Sequence, residues 1–124
     1  MTRLPGELHA GRVYRREDLL LFSLSLRFEW DEAKNRANQR KHGVSFEEAA
    51  HVFRDPLQVS VQDRTEGGEQ RWQTFGVVSG VVLLMVAHAV REDDGHGHTI
   101  EVIRIISARR ADRTERQRYE EQNR

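Results

Sequence analysis

At 124 residues the chain is long enough for one hydrophobic core and too short for two, which argues for a single folded unit. Hydrophobic residues make up 37% of it and charged residues 32%, a balance too apolar for a disordered chain and polar enough to predict a small core in a charged shell. Its 20 lysines and arginines match 20 aspartates and glutamates, so any attraction to phosphate has to be local, and the absence of cysteine excludes disulfides, thiol catalysis and Cys-ligated metal centres.

Residues 1–25 show no sustained periodicity and are set apart as an N-terminal extension, with 26–124 as the single domain. The apolar run from Leu19 to Leu26 is too short to span a bilayer. It follows Arg15-Arg16-Glu17-Asp18 and lacks a small-residue cleavage site, so a cytoplasmic location without membrane association is expected.

Phe28 to Trp30 predicts a short strand, and Asp31 is a good N-cap for a helix running to about His42, stopped by Gly43. Ala33 and Ala37 form the only apolar stripe of this helix, while Lys34 and Lys41 share a face with Asn38 and Arg36 and Arg40 form a second basic edge. It is either a local positive patch or a plain solvated face. Ser45 with Glu48 predicts a capping box, Val44 with Ala49 a staple, and Phe46, Ala49, Ala50 and Phe53 the inward stripe of a second helix ending at Asp55-Pro56.

Leu57, Val59 and Val61 alternate with Gln58, Ser60 and Gln62, as in a strand with one wet face. A loop over Arg64 to Gln70 then leads to a strand from Arg71 to Val78, a tight turn at Ser79-Gly80, an apolar central strand from Val81 to Val90, and a last strand from Thr99 to Ser107. A C-terminal helix is expected from about Arg109. The class is therefore α+β: a short N-terminal strand, two helices, a four-stranded antiparallel meander and a C-terminal helix.

Arg104 shares a strand face with Ile100, Val102 and Ile106, whereas Ser107 falls on the other face by strict alternation. A guanidinium in such a place needs either a carboxylate partner or a phosphate. Ser107, Arg109 and Arg110 follow at once, and Arg113, Arg116 and Arg118 continue the cluster. Arg71 stands beside Trp72, which is either core or a platform for an unpaired base. His88, on an apolar face, reads as a core residue. His42, at a helix C-terminus beside Lys41, is better suited to proton transfer, since the helix dipole favours its cationic form. Such groups suffice for metal-independent RNA cleavage, in which a 2′-hydroxyl attacks the adjacent phosphate and cations stabilise the gathering charge. No HExxH, EF-hand, Walker, GxSxG or GxGxxG motif points elsewhere. His96 and His98 lie in a glycine-rich stretch that reads as a hairpin loop more readily than as a metal site. No metal or cofactor is expected.

Phe28-Glu29-Trp30-Asp31 with Lys34 and Asn35, Lys41-His42-Gly43-Val44 followed by Phe46-Glu47-Glu48-Ala49, and the closing run Arg104-Ile105-Ile106-Ser107-Ala108-Arg109-Arg110-Ala111 with Glu115, Arg116 and Tyr119 resemble the signature of BrnT toxins. Asp63, Gly68-Glu69 and Arg71 fall where that family has its middle motif. The resemblance, over about residues 27–121, implies a RelE-like fold, a growth-arresting ribonuclease and neutralisation by a BrnA-type antitoxin, through which alone the complex would contact operator DNA. It directs attention to Lys41, His42, Arg71, Arg104 and Arg109 as catalytic candidates and to Lys34, Trp72, Ser107 and Arg110 as RNA-binding ones. The rival expectation is a non-catalytic module or degenerate toxin whose basic surfaces only bind RNA or antitoxin.

Overall fold

The computed structural model describes residues 13–15, 26–94, 97 and 99–124. Its strands are β1 (Val13–Arg15), β2 (Leu26–Glu29), β3 (Val59–Glu66), β4 (Glu69–Val78), β5 (Val82–Asp93) and β6 (Ile100–Arg110). Its helices are α1 (Glu32–His42), α2 (Phe46–Ala50), which continues as a 3-10 turn over His51–Arg54, and α3 (Arg113–Gln122). The strands form one sheet in the order β1-β3-β4-β5-β6-β2. The expected antiparallel meander is its centre, and β2 joins it by pairing parallel to β6, so the sheet is mixed and wider than the sequence implied. Within the segment set apart as an extension, β1 pairs with β3 through Val13↔Val61 and Arg15↔Val59.

Local chemistry sets the helix boundaries. The Asp31 side chain accepts from Lys34 N, and Gly43 ends α1 in the left-handed conformation at φ 72°. Ser45 and Glu48 form the reciprocal capping box of α2. The C-terminal helix starts later than expected: Arg109 and Arg110 still belong to β6, and the true start is a second capping box between Asp112 and Glu115.

One sheet face carries Val86, Leu84, Ile103, Ile105 and Ala108 and packs against Val44, Phe46, Ala49, Val52 and Phe53 of the α2 region. The opposite face carries Val59, Phe75, Leu83 and Met85 under Tyr119 of α3. With both faces covered at this end of the sheet, Gln58 and Ser60, expected to be wet, are buried, while Leu57 lies outside the strand and is exposed. The expected loop over 64–70 is instead strand on both sides of a tight Gly67-Gly68 turn whose glycines take φ 59° and 81°.

Helix α1 is held in an unexpected way. Ala33 and Ala37 are exposed, and the inward stripe is Asn35 and Asn38. Asn38 donates to the carbonyls of Val44 (2.9 Å) and Ala108 (2.8 Å) and accepts from Ala108 N (3.1 Å). It thereby completes the edge of β6 beyond the point where β2 ends. Asn35 accepts from Phe46 N at 2.7 Å and donates to Glu32 and Glu47, satisfying an N–H that the start of α2 would otherwise leave unpaired.

Asp55 ties the other end together, accepting from Leu57 N (2.8 Å), Val77 N (2.7 Å) and the Tyr119 hydroxyl (2.6 Å). Burial, reinforced by that bond to Asp55, holds the Tyr119 hydroxyl protonated beyond its ordinary range. Tyr119→Phe is expected to lower stability by about 2 kcal/mol, as for a hydrogen bond to a charged group, without changing the sheet. An unchanged urea midpoint for this variant would show that the bond does not hold α3 down.

Candidate active site

Residues paired across antiparallel strands share a face, so the register places the candidate side chains. Arg71 pairs with Ala89 and Ala89 with Arg104, which puts both arginines on the α3 face with a small central residue between them. The Ala87 row adds Gln73 and Ser107 to the same face, and the Met85 row adds Arg109. Ala89 on β5 between Arg71 and Arg104, and Ala87 between Gln73 and the short Ser107, make a trough. Helix α3 covers the hairpin end of this face, and the arginine end is left accessible: the Arg71 and Arg104 side chains are 22% and 31% exposed.

Two bulges shape the trough. Between Ala87 and His88 the β5–β6 register steps by one, leaving Ile106 without a counterpart. Strict alternation would have put Ser107 and Arg109 on the opposite face from Arg104; the extra residue turns them onto it, which corrects the expected placement of Ser107. A matching step in β3 between Gln62 and Arg64 brings Arg64 opposite Arg71.

The charges on this face are interlocked. Arg104 Nη2 donates to Glu69 Oε1, and Arg71 Nη2 lies 3.7 Å from the same oxygen and 4.0 Å from Glu66. Arg109 forms a bidentate pair with Glu115 at 2.8 and 2.9 Å, whose hydrogen bonds hold its guanidinium above its ordinary pKa. Further along, Arg91 pairs with Glu29, and Arg27 with Asp93 at 3.3 Å. The expectation that Arg104 meets either a carboxylate or a phosphate is answered by a carboxylate, yet one shared with a second arginine and open to solvent.

The remaining candidates lie elsewhere. Trp72 is 2% exposed and pairs with His88 on the helix-covered face, so it is core and not a stacking platform. Arg110 pairs with Leu84 on that face as well, with its own side chain exposed. Lys34, Lys41 and His42 sit on α1 along the β6 edge, and none of them makes a hydrogen bond or ion pair with Arg71, Arg104 or Arg109. Glu69 was not among the expected site residues, although it lies two residues before Arg71 and so in phase with it.

A cleft of about 490 Å3 lies at the opposite end of β4, lined by residues including His51, Arg54, Asp55 and Gly80. Its one carboxylate, Asp55, is fully engaged in holding the fold. Among the described residues no group of three or more His, Asp or Glu side chains is arranged to hold a metal ion; His96 and His98 lie outside those residues. No helix of the described residues is long and apolar enough to cross a membrane.

A search of the curated proteins finds no match. Among solved structures the chain is similar to the crystal structure of the Brucella abortus ribonuclease toxin BrnT, with 24% identity and a TM-score of 0.49, covering 71% of this chain and 99% of that one. The family model described as the ribonuclease toxin BrnT of type II toxin–antitoxin systems matches residues 30–115. That match spans more than half of the sequence and includes both arginines of the trough, and the chain accordingly belongs to the BrnT family of ribonuclease toxins.

Proposed function

We propose that this protein is an endoribonuclease that cleaves RNA by attack of a 2′-hydroxyl on the adjacent phosphate, arresting translation and growth, with Arg71 and Arg104 as the phosphate-binding pair. The observation that carries this reading is the pair of accessible guanidiniums converging on one oxygen above an alanine floor. A phosphate reproduces what Glu69 offers, oxygen acceptors in the plane of the guanidinium, and adds charge as the transition state forms. Ser107, on the same sheet face, contacts the sugar–phosphate chain in this reading. Arg109, held in a bidentate pair with Glu115, bounds the far end of the trough.

The antitoxin that a type II system requires is, in this reading, a BrnA-type protein docking on the exposed basic face of α1, where Lys34, Arg36, Arg40 and Lys41 carry no carboxylate partner among the described residues. Operator DNA would then be reached only through the antitoxin. Lys41 and His42 are reassigned from proton transfer to this contact, because no interaction links them to the arginine pair. The fold is read as RelE-like, residues 26–124 as its single domain, and the cytoplasm as its site of action. A second reading, a module that binds RNA without cleaving it, draws on one observation: Arg71, Arg104 and Arg109 already have carboxylate partners.

Purified protein incubated with a defined single-stranded RNA in excess EDTA is expected to leave 2′,3′-cyclic phosphate ends, and folded Arg104→Ala to lose about 100-fold in rate. Full activity in Arg104→Ala would remove the arginine pair from the site. Binding without cleavage by the wild-type protein, persisting when ribosomes and divalent metal are added, would establish the binding-only reading.

A further inference from the structure

Cleavage by a 2′-hydroxyl needs a group that accepts its proton, and the structure narrows the choice. Arginine stays protonated at every working pH. Both lysines of the chain are on α1, and the described histidines are His42 on α1, His51 in the 3-10 turn and His88 in the core. Among the described residues, the group that can take up a proton and also approaches both arginines is the Glu69 carboxylate.

We propose that Glu69 is the general base, an inference that rests on the RNA-cleavage reading of this trough. Only Oε1 of its two oxygens is held by the guanidiniums. Phosphate arriving at Arg71 and Arg104 takes over those donors and leaves the carboxylate beside the phosphate, where the neighbouring 2′-hydroxyl of a bound strand lies. The 2′-oxygen then attacks phosphorus, its proton passing to Glu69 as the O2′–P bond forms. The P–O5′ bond breaks, and the proton on Glu69 is handed on to the departing 5′-oxygen, leaving a 2′,3′-cyclic phosphate and a 5′-hydroxyl. No oxidant or co-reactant is required. In the absence of RNA the same carboxylate keeps the two guanidiniums together, so that the phosphate meets cations already in position.

The hairpin serves this arrangement. Glu69 is the first residue of β4, directly after the Gly67-Gly68 turn, and its cross-strand partner is Glu66. Its backbone is fixed by the turn and its side-chain phase by the strand, and the carboxylate reaches diagonally, from the row beyond Ala89, to Arg104 on β6.

The test uses full-length protein, a single-stranded RNA with one cleavage site, and variants whose thermal melts match the wild type. Glu69→Gln, which keeps size and polarity, is expected to lower kcat at least about 100-fold with KM changed less than threefold, and Glu69→Ala to regain part of its rate when formate is added. A merely structural carboxylate would give no formate response. If the wild-type protein cleaves and Glu69→Gln retains kcat within tenfold, or loses rate only through KM, the assignment of Glu69 is overturned while the ribonuclease reading stands; if the wild-type protein does not cleave, that underlying reading fails first.

Discussion

Asn38→Ala is expected to destabilise the protein by about 4 kcal/mol. The side chain is 8% exposed and serves three backbone groups, the Val44 carbonyl and both the N–H and the carbonyl of Ala108. Removing it leaves three polar groups without partners in a space too confined for easy replacement by water, at about 1–3 kcal/mol each with partial relief at the sheet edge. A leucine there would not compensate, because the need is for hydrogen bonding and not for apolar volume. Urea denaturation monitored by circular dichroism measures the effect directly. A loss below about 1 kcal/mol would mean that α1 is held by something other than its asparagines.

Acid should weaken the protein well before the carboxylates titrate. His88 is 3% exposed, bonded through Nε2 to the Thr74 hydroxyl at 2.8 Å, which in turn meets Ser60 at 2.7 Å, and its ring packs edge-on against Phe53. Burial pushes the pKa down from 6.5 to about 3, against a smaller opposing pull from the Ala89 backbone. The folded state therefore holds this imidazole neutral while the unfolded chain binds a proton below pH 6.5. Stability is complete above that pH and falls as pH drops through the window from about 6.5 to about 3, by roughly 4 kcal/mol at its end. His88→Gln removes the titrating group, so the difference in pH slope between the two proteins isolates it. Parallel slopes between pH 7 and 4 would rule out a neutral buried imidazole as the source.

Much of the fold was legible because its signals are local. Asp31, Gly43 and the Ser45–Glu48 pair bound their helices through contacts within a few residues, and Ser79-Gly80 announces its hairpin in the same way. The late start of α3 carried the same signature in Asp112 and Glu115, overlooked because the arginine run before it looked helical. Other features depend on distant partners. Gln58 and Ser60 alternate like solvent-facing residues, but helices cover both faces of the sheet where they lie. Asn38 looked like part of a solvated face because its partner, Ala108, is far along the chain. Among the candidate site residues, Arg104 was singled out by its strand phase and Arg71 by its place beside an aromatic after a glycine turn, and the sheet brings the two together. Glu69 was passed over because a carboxylate becomes interesting only once two guanidiniums from different strands are seen to meet on it.

The unpaired Ile106 makes β6 two strands of opposite phase joined end to end. Before it, odd-numbered residues such as Ile103 and Ile105 point to the helix side; after it, odd-numbered Ser107 and Arg109 point to the trough. Deleting Ile106 would therefore leave Ser107 and Arg109 in plain alternation with Arg104 and still on the trough side, at the loss only of the local bend and twist of the bulge, whereas deleting Ala108 would move Arg109 into a core-facing place.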